Sequence, residues 1–250
     1  MKAPALVGAV LAVAAASCAH AAAPAAPARA GPRLVSLDLV DPRRSRAVPM
    51  AIYGYEGRPR PLALISHGYG GNNRAYSFLA EALAARGYVV ASIQHELAGD
   101  PEMPTTGEPA VVRMPWWDRG ADTLLFAIRQ LRAFRIATRG RVLLIGHSNG
   151  GDMSMLFAAR RPGMVRAVFS LDSRRMPFPR TTRPRICSAR SSDQPADRGV
   201  LPTPEEQARH FMVIEPVPVI HNEMWDSATP EQKQAMLTVL HRCLAGISRS

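Results

Sequence analysis

The chain has 250 residues, 47 % of them apolar and 20 % charged, the make-up of one soluble globular domain with a sizeable core, which excludes a disordered chain or a membrane bundle. The formal net charge is +11, but it is scattered: two of the 31 basic residues are lysines, Lys2 and Lys233, and the 29 arginines cluster no further than pairs such as Arg43-Arg44, Arg160-Arg161 and Arg174-Arg175. With no run of about five or six like charges there is no basic arm for a polyanion, and no nucleic-acid partner is expected.

In chain order, Lys2, an apolar Ala-rich stretch over residues 3–17 and the small residues around Ala19-His20-Ala21 read as an export signal covering residues 1–21. The apolar run falls short of the roughly 20 residues that cross a bilayer, so no stable membrane span is expected. A periplasmic or secreted protein follows, with a lipid anchor on Cys18 as the alternative. Residues 22–33 (AAAPAAPARAGP) have no periodicity and suit an extended tether. The folded domain is expected over residues 34–250.

Within it, Leu34 to Val40 and Val48 to Tyr55 are strand-like, and Pro61 to Ser66 (PLALIS) is a continuous apolar strand running into His67-Gly68-Tyr69-Gly70-Gly71. Residues 72–87 carry Ala75, Phe78, Leu79, Ala82 and Leu83 at helical spacing and stop at Gly87. Tyr88 to Ile93 is a buried strand, residues 96–115 a Pro/Gly loop, Trp116 to Phe134 a helix and Arg141 to Ile145 a strand. There follow a helix over 149–160, strands at Val165 to Leu171 and Arg185 to Ala189, a helix from Pro204 to Phe211, the strand-like Met212 to Ile220 and a helix from Thr229 to Leu244. Strands alternating with helices from residue 61 onward predict an α/β fold, a mainly parallel sheet covered on both faces. Cys187 and Cys243 both sit in apolar stretches and are expected as small buried hydrophobes, with a disulfide between them as the alternative.

The chemistry starts at Gly146-His147-Ser148-Asn149-Gly150, which fits G-x-S-x-G directly after a strand and directly before a helix. A nucleophilic serine on that sharp turn needs glycine at Gly146 and Gly150, where a side chain would meet neighbouring backbone. The oxyanion donors are expected to be the N–H of Asn149, at the start of the helix, and the N–H of Tyr69, in the loop after an earlier strand. Among seven histidines only His221 follows the last strand and precedes the final helix, where the general base of such a turn belongs. Two carboxylates compete to orient it. Asp193 follows the strand at Arg185 to Ala189 and is preferred; Asp172 follows the preceding strand and is the alternative; Asp197 is a distant third. No metal-ligand spacing is present, and no metal or organic cofactor is expected.

The segments SHGYGGNNRAYSFLAEALAARGYVVASIQHE (Ser66 to Glu96), GHSNGG (Gly146 to Gly151) and SLDSRRMPFPR (Ser170 to Arg180) resemble the platelet-activating-factor acetylhydrolase and dienelactone-hydrolase-like group of α/β hydrolases. The resemblance implies an eight-stranded sheet and hydrolysis of a carboxylic ester through an acyl-enzyme. Ser148 departs from the dienelactone hydrolases proper, which use cysteine. In the acetylhydrolases the acid follows the sixth strand, where Asp172 lies, and in bacterial cutinase-like relatives the seventh, where Asp193 lies, so both remain open.

With the carboxylic ester that the resemblance implies, the function expected is cleavage of a soluble or short-chain ester by Ser148, His221 and an aspartate. Only about a dozen residues separate the strands ending near Leu171 and starting near Arg185, too few for a large lid. Two rivals are an amidase or peptidase with the same residues, and a non-catalytic binding protein of the same fold, although none of the serine, the histidine or the elbow glycines is lost.

Overall fold

The computed structural model describes residues 34–247. Residues 1–33, where an export signal and a tether are expected, and with them Cys18, lie outside the described residues.

Eight strands form one sheet: β1 (Leu34–Asp41), β2 (Arg46–Tyr53), β3 (Leu62–Ser66), β4 (Val89–Ile93), β5 (Val142–His147), β6 (Val165–Leu171), β7 (Arg185–Arg190) and β8 (Val213–Pro216). Their order is β1-β2-β4-β3-β5-β6-β7-β8. The β1–β2 hairpin and the β2–β4 pair are antiparallel, and every pair from β4 through β3 to β8 is parallel. The helices are α1 (Ser77–Ala85), α2 (Pro109–Val112), α3 (Met114–Ala133), α4 (Asn149–Arg160), α5 (Pro204–Arg209) and α6 (Pro230–Ala245). This is the α/β-hydrolase architecture, with eight mainly parallel strands.

The central strands read as unbroken apolar runs because both of their faces are covered. Alternate residues go to opposite sides: Leu62, Leu64, Val142 and Leu144 pack with Trp117, Leu124, Ile128 and Leu131 of α3 and with Phe157 of α4. Ala63, Ile65, Leu143 and Ile145 pack instead with Leu79 and Leu83 of α1 and with Met236, Val239 and Leu240 of α6. The carboxyl ends of β3, β5, β6, β7 and β8 open onto the same edge of the sheet, where ligands bind in folds of this kind.

Three sequence expectations change. The loop over residues 96–115 contains α2, and α3 begins at Met114, with Pro115 in its first turn, where a missing N–H costs nothing. The strand expected over Met212 to Ile220 shrinks to β8, because Pro216 and Pro218 cannot donate to a ladder; Val217 N–H goes to Arg190 O and Ser192 N–H to Val219 O instead. Cys187 and Cys243 are both fully buried, but as a disulfide tying β7 to α6 with a Cα–Cα distance of 5.9 Å. The fold sets those two elements side by side, a proximity that a sequence separation of 56 conceals.

Candidate active site

Ser148 sits between β5 and α4 at φ 50° and ψ −119°. That backbone conformation is costly for a residue with a Cβ and is held here from both sides. Its N–H donates to Leu171 O (2.9 Å), at the end of β6, and its carbonyl accepts from Asp152 N–H (3.0 Å) in the first turn of α4. The flanking glycines are steric requirements. A Cβ on Gly146 would lie 2.3 Å from Gly150 O, and one on Gly150 would lie 2.3 Å from Ser66 O and 2.4 Å from His67 O. The helix thus starts in contact with the end of β3, bringing Asn149 beside the loop that carries Tyr69.

His221 lies just past β8, buried, with Nε2 3.0 Å from Ser148 Oγ and Nδ1 2.6 Å from Asp172 Oδ2. Asp172, directly after β6, is fully buried and adopts φ 54°, a left-handed conformation that aspartate tolerates better than most residues. Its two oxygens are crowded with donors. Arg190 Nη2 lies 2.6 Å from Oδ1, Ser191 N–H donates to Oδ1 (3.1 Å) and Ser191 O–H donates to Oδ2 (2.7 Å). Burial by itself pushes this carboxyl up, but the His221 bond, the Arg190 charge and the Ser191 bonds outweigh it and hold it below the usual carboxylate range.

The preference for Asp193 as the partner of the imidazole is corrected by this geometry. Asp193 Oδ1 accepts the backbone N–H of His221 (2.7 Å) and holds the peptide, while Asp172 holds the ring. The reason is sheet order. β6 is the neighbour of β5, so the residue after Leu171 stands next to the serine turn, whereas Asp193 lies three residues beyond β7 and is exposed. Asp197 is engaged elsewhere, accepting from Arg175 Nη1 at 2.9 Å on both oxygens.

The expected oxyanion donors lie on the same side. Among the described residues neither Tyr69 N–H nor Asn149 N–H donates to a protein acceptor. The Asn149 side chain accepts from Trp117 Nε1 (2.9 Å), and the Tyr69 hydroxyl accepts from Met103 N–H (3.2 Å). Glu96 fixes the Tyr69 loop by accepting Gly70 N–H (2.7 Å), and burial pushes its carboxyl up.

Sequence reasoning missed Arg190, Ser191 and Glu96. Arg190 carried the one readable signal, a charge closing an otherwise buried strand; the other two became meaningful only once β6, β7 and the Tyr69 loop were side by side. Among the described residues no three His, Cys, Asp or Glu side chains are placed to share a metal ion, and no helix is long and apolar enough to cross a membrane.

Residues 57–171 match the family described as serine aminopeptidase, S33; the match takes in Ser148 and stops one residue before Asp172. No curated protein matches the sequence. Among solved structures, a dienelactone hydrolase-like promiscuous phosphotriesterase from metagenomic libraries superposes with a TM-score of 0.65 at 15 % identity, covering 87 % of this chain and 99 % of that one. Dienelactone hydrolase from Anabaena variabilis gives 0.60 at 18 % identity, covering 88 % and 100 %. A ferulic acid esterase from Streptomyces cinnamoneus gives 0.55 at 21 % identity, covering 79 % and 76 %. From its strand order, its serine turn after β5 and these similarities, the chain is identified as a protein of the α/β-hydrolase fold.

Proposed function

We propose that this chain is an exported serine hydrolase that cleaves carboxylic esters, with Ser148 as nucleophile, His221 as general base and Asp172 as the acid that orients it. The observation that carries this reading is the line Ser148 Oγ, His221 Nε2, His221 Nδ1, Asp172 Oδ2, with contacts of 3.0 and 2.6 Å. His221 Nε2 takes the hydroxyl proton as Ser148 Oγ attacks the carbonyl carbon. Asp172 keeps the other ring proton on Nδ1 and stabilises the imidazolium. The N–H groups of Tyr69 and Asn149 receive the charge that develops on the carbonyl oxygen. The imidazolium returns its proton to the leaving alkoxide, and water repeats the sequence on the acyl-enzyme.

An open site supports a soluble or short-chain ester: among the described residues no helix is inserted between β6 and β7. Exposed Tyr69, Ile220 and Trp225, on the loops that also carry the Tyr69 N–H and His221, offer apolar surface for the organic parts of such a substrate. The esterases among the structural neighbours agree with this choice.

The family description favours one second reading, an aminopeptidase. It uses the same Ser148–His221–Asp172 line, so amide and ester substrates measured side by side separate the two readings.

The test is hydrolysis of p-nitrophenyl acetate, butyrate, octanoate and palmitate beside amino-acid p-nitroanilides, by wild type and Ser148→Ala. Activity on the short esters that vanishes in Ser148→Ala is the expected result. Wild type that turns over only the anilides transfers the reading to amide hydrolysis, and wild type no better than Ser148→Ala on every substrate overturns it.

A further inference from the structure

His221 is held by its ring and also by its backbone, and the backbone contacts lead away from the three residues assigned above. Its N–H donates to Asp193 Oδ1 (2.7 Å). Its carbonyl lies 3.0 Å from His147 Nε2, the ring of the residue preceding the nucleophile. His147 Nδ1 in turn lies 2.8 Å from the Tyr76 hydroxyl, which also accepts Gly68 N–H (3.2 Å). Gly68 precedes Tyr69, the proposed oxyanion donor.

The chemistry of the groups fixes the direction of every bond in this chain. A carbonyl only accepts, so His147 Nε2 carries a hydrogen. His147 is buried, and burial pushes its pKa down to about 3, so the ring is neutral and Nδ1 is an acceptor. The Tyr76 hydroxyl is therefore the donor to Nδ1, and burial keeps that phenol protonated by pushing its pKa up. Its oxygen remains free to accept Gly68 N–H. The polarity runs one way, from Gly68 N–H through Tyr76 O–H and His147 N–H to the carbonyl of His221, with every donor along it engaged.

Close packing makes the chain stiff. The ring centroids of Tyr76 and His147 are 5.8 Å apart, and those of His147 and His221 4.9 Å. A Cβ on Gly68 would come within 2.9 Å of His147 Nδ1, so glycine at this position is what admits the loop to the ring.

We propose that Tyr76 and His147 are positioning residues that lock the backbone of His221 to the loop bearing the Tyr69 N–H, so that general base and oxyanion donor keep one fixed separation. The inference rests on the assignment of Ser148 and His221 made above. His221 is thus held at three points, its N–H by Asp193, its carbonyl by His147 and its ring by Asp172. Catalysis is sensitive to such placement: a misplacement of about 1 Å can cost on the order of a hundredfold.

The experiment compares wild type, Tyr76→Phe, His147→Gln and His147→Leu. It follows the rate constant for labelling of Ser148 by a fluorophosphonate, the kcat and KM for p-nitrophenyl butyrate, and the melting temperature. Tyr76→Phe keeps the ring packing and removes only the O–H. It is expected to label and turn over about tenfold more slowly, with KM within about twofold of wild type and the fold intact. His147→Gln, whose amide N–H can still reach the His221 carbonyl, is expected to outperform His147→Leu, a difference that loss of packing alone does not produce. Labelling of folded Tyr76→Phe at the wild-type rate, or equal rates for the two His147 variants, overturns the proposal. Wild type that labels yet cleaves no ester removes the ester reading while the labelling rates still decide this one, and wild type that does not label removes both.

Discussion

Replacing Asp172 by asparagine keeps the size of the side chain and removes its charge, and each way of placing the amide is damaging. With the NH₂ group toward His221 Nδ1, now 2.6 Å away, the ring must present an acceptor there and carry its hydrogen on Nε2, which can then no longer take the proton of Ser148. With the NH₂ group reversed, it faces Arg190 Nη2 at 2.6 Å, and a buried guanidinium meets a donor in place of its counter-charge. The first arrangement lowers kcat by about 10³- to 10⁴-fold, the scale seen when a triad acid forces the wrong tautomer. The second adds instability of about 3 kcal/mol, the lower end of the cost of stranding one member of a buried ion pair. Asp193→Asn differs in kind. Its amide oxygen still accepts the His221 N–H, and the residue is exposed, so kcat is expected to fall by less than about tenfold. The assay is kcat on p-nitrophenyl butyrate with thermal melts of all three proteins. An Asp193→Asn variant more damaged than Asp172→Asn would refute the assignment of the acid and with it the argument from sheet order.

Two further outcomes concern stability rather than the reacting atoms. Asp152, on α4, is fully buried and accepts Arg175 N–H (3.1 Å) and Met176 N–H (3.0 Å), so it anchors the segment after Asp172; burial outweighs these bonds and raises its pKa to about 7. Because the folded value lies above the unfolded one, the folded state holds the extra proton between about pH 4 and 7, and stability falls as pH rises through that window, by about 4 kcal/mol at most. Asp152→Asn keeps an accepting oxygen, so its stability relative to wild type in urea titrations is expected to climb from pH 4 to 8; a flat difference refutes the burial argument. Removing the disulfide in Cys187→Ala/Cys243→Ala releases a loop spanning 56 residues and is expected to cost about 4 kcal/mol. Both cysteines lie away from Ser148, so kcat at 25 °C should stay within about twofold, and an unchanged melting temperature would show that the bridge is not formed in the protein.

What was legible in the sequence was local. β3, β4, β5 and β6 announce themselves as apolar runs because each is covered on both faces, and Ser148 is recognisable because strand, glycine, serine, glycine and helix adjoin in sequence. His221 could be found by position alone, between the last strand-like run and the last helix. The acid could not: Asp172 and Asp193 follow neighbouring strands with similar turn residues, and what separates them is a hydrogen bond from Ser148 to Leu171 and the guanidinium of Arg190, neither of which leaves a mark near the aspartates. Tyr76 is the extreme case, a residue at the start of an ordinary amphipathic helix whose hydroxyl meets a histidine 71 positions away.

The same distinction explains why the end of the sheet that carries His221, the proposed base, needs so many side-chain contacts. β8 spans four residues, its side chains are at most partly buried and Pro216 ends it, so the regular ladder stops five residues before His221, and beyond it only the Val217–Arg190 and Ser192–Val219 backbone bonds tie the segment to the β7 side. The histidine is fixed instead by partners drawn from three other strand ends: Asp172 after β6, Asp193 after β7, and His147 at the end of β5. A histidine supported in this way is expected to be sensitive to substitutions far from it in sequence, and if it is the base, melting the α6 side of the fold should disturb catalysis before the serine turn itself loosens. Hydrogen exchange read beside activity along a urea titration tests that order: the amides of Val217, Val219 and His221 should lose protection together with kcat, while those of β5 remain protected.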